Sequence, residues 1–107
     1  MQQARELSGC VTVVLSGELD HCTAPEIRAQ LDDILRDGRI THMVLDMENL
    51  TFMDSSGIGV LLGRLKALQL RGGDLSVKNM QPSIAKLFRL TGMHRVIGVL
   101  EQQGGRR

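Results

Sequence analysis

The stretch Leu50-Thr-Phe-Met-Asp-Ser-Ser-Gly-Ile-Gly-Val-Leu-Leu-Gly-Arg64 decides how the chain folds, because a β-type segment gives way there to a helical one across an acid and two hydroxyls. Upstream, residues 42–47 read His-Met-Val-Leu-Asp-Met, a short apolar run suited to a strand buried on both faces. Downstream, Ile58, Leu61, Leu62, Leu65 and Leu68 recur at helical spacing, so Ser55 opens a helix. Unpaired amides and the positive end of the helix dipole would make a phosphate on Ser55 or Ser56 locally tolerable. Asp54 works against it: a phosphoserine adds roughly −1.5 to −2 charge beside that carboxylate, the property of a switch.

Asp and Ser are also the preferred helix N-caps, each stabilising by about 1 kcal/mol relative to Ala, so a plain strand–turn–helix joint would use the same residues. The helix face turned away from the leucines separates the two readings. Projected at 100° per residue it carries Ser56, Gly59, Val60, Gly63 and Ala67, with Arg64 and Lys66 toward its flanks. Solvated faces usually carry charge, and glycine costs a helix about 1 kcal/mol relative to Ala. A stripe this small and flat suits a docking face for a partner that begins at the serines.

The remaining chain supplies the frame. Residues 2–7 fit an edge strand, Ser8-Gly9 a turn, and residues 10–16 a β-branched central strand. Gly17 to His21 follow as a loop. Thr23 and Glu26 have capping-box spacing, Ile27, Leu31, Ile34 and Leu35 form an inner stripe, and Gly38 is placed at the C′ position. Residues 40–47 give the next strand. After the long helix to about Arg71 come Gly72-Gly73, a strand over 74–78 near the sheet edge, and a helix from Pro82 to Gly92 lined by Ile84, Leu87, Phe88 and Thr91. A last strand falls over 95–100.

Strands alternating with helices predict one α/β domain over residues 1–107, with a mixed, mostly parallel sheet of four or five strands flanked by helices. Its core spans about 8–100 and its tail, 101–107, is polar and expected to be flexible. If neighbouring strands are sequential, Asp20 and His21 lie beside Asp54, Ser55, Ser56 and Gly57 at the carboxyl edge of the sheet.

Composition narrows the function. With 107 residues and 42% hydrophobic content there is material for one core. A net charge of +1, and Phe52 and Phe88 as the sole aromatics, argue against a nucleic-acid ligand. Cys10 and Cys22 read as reduced thiols, and no run approaches the ~20 apolar residues of a membrane span, so a cytoplasmic protein without membrane attachment is expected. Metal-ligand spacing is absent, and no cofactor is expected. Asp20, His21, Ser55 and Asp54 include the residue types of a hydrolytic triad, yet no Gly-x-Ser-x-Gly elbow is present. Gly57-Ile-Gly59 is too short for a phosphate loop and lacks its lysine. A receiver-like domain phosphorylated on Asp54 would need further acids and a lysine beside it.

Gly17-Glu-Leu-Asp-His21, Phe52-Met-Asp-Ser-Ser-Gly-Ile-Gly-Val60, Gly63-Arg64 and the Pro82 helix ending in Leu87-Phe88…Thr91-Gly92 together resemble the anti-sigma factor antagonists of the STAS class. The likeness runs from about residue 8 to residue 100 and is strongest to the sporulation sigma-F branch, general-stress (sigma-B) antagonists more often showing Ser-Thr at 55–56. The resemblance implies a regulator, not an enzyme. It implies that Ser55 is phosphorylated by the anti-sigma factor, itself an ATP-dependent serine kinase, and dephosphorylated by a serine phosphatase. The bare form would bind the anti-sigma factor and free the sigma factor; the phosphorylated form would not. Asp20, His21, Asp54, Ser56 and Gly57 would surround the phosphosite, and Gly59, Val60, Gly63, Arg64 and Ala67 would meet the partner.

Overall fold

The computed structural model describes residues 3–100. Its order is β1 (Gln3–Leu7), β2 (Cys10–Leu19), α1 (Ala24–Ile34), β3 (His42–Met53), α2 (Ser55–Gln69), β4 (Asp74–Lys78), α3 (Pro82–Thr91), a 3-10 turn (Met93–Arg95) and β5 (Gly98–Val99). The strands stand side by side in sequence order, β1 antiparallel to β2 and the others parallel. The last strand is shorter than the 95–100 the pattern suggested, and the expectation for the tail lies outside the described residues.

Because strand order never reverses, successive right-handed crossovers put every helix on the same side of the sheet. Burial follows. Val11, Val13, Leu15, Met43, Leu45, Met47, Leu75 and Val77 are buried against Ile27 and Leu31 of α1, Leu61, Leu65 and Leu68 of α2, and Ile84 and Phe88 of α3. Their alternates Thr12, Val14, Val44, Asp46, Ser76 and Lys78 are only partly covered. The expectation that β3 is buried on both faces is therefore corrected: it is apolar mainly on one.

Local chemistry fixes the joints. Ser8 and Gly9 both take positive φ (55° and 82°), the condition of a two-residue hairpin turn, and the Gly9 amide donates to the Glu6 carboxylate at 2.9 Å. After α2, a Cβ on Gly73 would stand 1.5 Å from the Thr41 carbonyl oxygen, so only glycine lets the chain return beside β3. Arg71 locks the α1–β3 connection. Its guanidinium donates to the carbonyls of Ile40 (2.9 Å), Asp37 (3.3 Å) and Leu35.

Two local expectations change. The Thr23 side chain does not cap α1: its hydroxyl accepts from the Asp20 amide (2.9 Å) and donates to the Glu18 carbonyl (2.8 Å), while Glu26 accepts from Gln30. Gly38 is not a left-handed C′ residue, since the cap is Leu35 in a helical conformation.

Candidate functional site

β2 runs on through Gly17-Glu18-Leu19, which the sequence assigned to a loop. Two register shifts against β3 and a positive φ at Gly17 (87°) accommodate the extension, and the Gly17 carbonyl accepts from the Thr51 hydroxyl at 3.0 Å. Leu19 thereby pairs with Met53, and the Asp54 amide donates to the Leu19 carbonyl at 3.3 Å. The two loops are stitched together where both strands end.

Each loop is built around one carboxylate. Asp20 Oδ1 accepts from the amides of Cys22 (2.8 Å) and Thr23 (3.0 Å). The Thr23 amide is the strongest of the contacts that hold this carboxyl below its usual range. Asp54, extended at φ −122°, is the N-cap of α2: its Oδ1 accepts from the Ser56 amide at 2.8 Å, and its carbonyl accepts from Gly57 and Ile58. Gly57 sits against both strand ends, where a Cβ would lie 2.5 Å from Met53 Cγ and 2.9 Å from Leu19 Cγ.

The serines differ. Ser55, first residue of α2, is exposed, whereas Ser56 is partly buried at the mouth of a groove between α1 and α2. The Ser55 hydroxyl has no hydrogen-bond partner among the described residues. His21 and Ser55 share the same sheet edge but are not hydrogen-bonded, so the triad that general-base catalysis requires is not assembled.

The expected docking stripe is corrected. Val60 is 4% exposed and belongs to the core, whereas Leu62, assigned to the inner face, is 43% exposed. The buried arc of α2 is Gly57, Val60, Leu61, Leu65 and Leu68, rotated by roughly 60° from the arc the leucines suggested. Gly57 is inward but has no side chain to announce it, and an apolar residue is not bound to be inside. Arg64 is also drawn inward, its side chain 12% exposed and its Nε 3.1 Å from Asp32 Oδ1 on α1. That approach is ionic, since neither Nε nor Nη1 finds a hydrogen bond of good geometry. Gly59 is exposed, Gly63 and Ala67 are half-buried, and a Cβ on either glycine would meet no atom within 4 Å. Packing asks for glycine at 57 but not at 59 or 63.

The same architecture recurs in known proteins. The STAS domain model matches residues 1–103. The chain belongs to the STAS domain family. Within it the chain is similar to an anti-sigma F factor antagonist of Paenibacillus polymyxa, 38% identical over 95 residues that make up 89% of this chain and 81% of the relative. An anti-sigma-B factor antagonist of Staphylococcus aureus (strain NCTC 8325 / PS 47) is 35% identical over 89 residues, 83% of this chain and 82% of the relative. The structure of the Bacillus cell fate determinant SpoIIAA in its phosphorylated form superposes with a TM-score of 0.74 at 30% identity, covering 97% of this chain and 93% of that one. This STAS chain is thus an anti-sigma factor antagonist of the SpoIIAA type, in a family of regulatory binding proteins. Among its described residues no helix is long and apolar enough to cross a membrane, and no three His, Cys, Asp or Glu side chains group as metal ligands.

Proposed function

We propose that this chain is a phosphorylation-gated partner switch. Its bare form binds an anti-sigma factor that is also an ATP-dependent serine kinase, releasing the sigma factor; phosphate on Ser55 ends that binding, and a serine phosphatase restores it. The observation that carries the reading is the exposed Ser55 hydroxyl without an internal partner at the first turn of α2, beside an Asp54 carboxylate already engaged by the Ser56 amide.

The physics of the site supports a local switch. A phosphate at Ser55 meets the positive end of the helix dipole, so the fold tolerates it. The same dianion stands beside Asp54 and at the rim of the outward α2 face formed by Gly59, Leu62 and Gly63, where added charge opposes docking. Those two glycines weaken the helix without serving its packing, which suits a surface that a partner approaches closely.

The stronger likeness to the sigma-F antagonist supports a role in sporulation transcription in the cytoplasm. A general-stress role is the second reading, supported by the sigma-B relative. Incubation with each purified kinase and ATP, followed by mass mapping, tests both: label on Ser55 from one kinase assigns the system. Acid-labile label on Asp54 would instead indicate a receiver-like module. Ser55→Ala is expected to hold the kinase permanently and Ser55→Asp to bind poorly. Equal binding by the two variants defeats the switch.

A further inference from the structure

We propose that the groove between α1 and α2 receives an acidic side chain of the anti-sigma factor, paired with Arg28. This rests on the partner-switch reading above and names one contact of that complex. The groove holds about 390 Å³ and opens beside the switch serines, with His21, Ala24, Pro25 and Arg28 on one wall and Ser56 and Gly59 on the other.

Its guanidinium has no partner: Arg28 is exposed and makes no ion pair or hydrogen bond among the described residues. The surrounding acids keep their charge but are held by other groups, none of them by Arg28. Asp20 and Asp54 are tied to backbone amides, Glu26 accepts from Gln30, and Asp32 holds Arg64. Both helices also begin at the rim, and the positive ends of their dipoles add potential of the same sign.

Ala24, Pro25 and Gly59 line the rest of the groove with small or apolar surface. A carboxylate entering it leaves water for an environment of lower dielectric, where pairing with a guanidinium strengthens and two parallel N–H···O bonds can form. Arginine is enriched among the residues that carry interface binding energy when they are desolvated, and complementary charge selects the partner as well as steering it. A second copy of this chain would bring the same unpaired cation to the same groove, so symmetric self-docking is disfavoured.

The test is a titration of the full chain with the purified anti-sigma kinase at several salt concentrations, comparing wild type with Arg28→Glu, Arg28→Gln and Arg28→Lys. The expected loss is about tenfold or more for R28E, smaller for R28Q, and within about threefold of wild type for R28K, with a shallower salt dependence for R28E and R28Q. Thermal melting should be unchanged, since Arg28 makes no hydrogen bond or ion pair among the described residues; if R28E melts early, R28Q decides. Wild-type binding with R28E or R28Q equally tight overturns the groove contact and leaves the switch standing. A wild-type chain that does not bind the kinase overturns both.

Discussion

Asp54 holds the Ser56 amide at 2.8 Å, so the carboxylate beside Ser55 is also the cap of the helix that Ser55 begins. Asp54→Ala should lose about 1 kcal/mol of stability, and Asp54→Asn, which caps as well, much less. Urea midpoints of the two variants measure this. Equal losses would mean that the charge, not the hydrogen bond, is what the helix uses.

The glycines of α2 should part company. Gly57→Ala forces a methyl against Met53 and Leu19 and is expected to destabilise by about 1–3 kcal/mol. Gly59→Ala and Gly63→Ala meet open space and should each stabilise by about 0.5–1 kcal/mol. Chemical denaturation of the three variants reads the difference, and a loss at Gly59 or Gly63 comparable to that at Gly57 would contradict the orientation of the helix.

Arg71→Ala should cost about 2–4 kcal/mol, because three carbonyls of the α1–β3 connection lose a charged donor at once. Arg71→Lys should recover little, since one ammonium cannot reproduce the planar fork. Thermal melts of both variants check the claim; full rescue by lysine would refute it.

Asp37 should contribute to acid sensitivity. Arg39 donates through its side chain and its backbone amide to this carboxylate and holds it at about 2, against an ordinary 3.8. A folded value below the unfolded one means that the stabilisation is complete above pH 3.8 and disappears as pH falls toward 2. Asp37→Asn should therefore flatten the stability profile in that window while lowering stability at neutral pH. A profile with wild-type slope over that window would count against it.

Residue patterns that carry a side chain were legible, and those that depend on backbone or distance were not. The alternation of β2 and the glycines closing α2 and α3 marked their elements, and the joint at Asp54 and Ser55 fell where the period changed from two to 3.6. The Thr23–Glu26 spacing misled, because the threonine hydroxyl is engaged upstream by the Asp20 amide and the Glu18 carbonyl. Val60 was misplaced because Gly57, which sets the inward direction, contributes no hydrophobicity. The role of Arg71 had no local signal at all, its acceptors lying 31 to 36 residues away.

Strand neighbours in this sheet are also neighbours along the chain, from the first hairpin to β5. Only the hairpin is local: each parallel pair joins residues 22 to 34 positions apart, so every later pairing waits for the intervening helix to be laid down. Closing those loops costs entropy before the pairing repays it, which puts this sheet among the slower-forming topologies for its size.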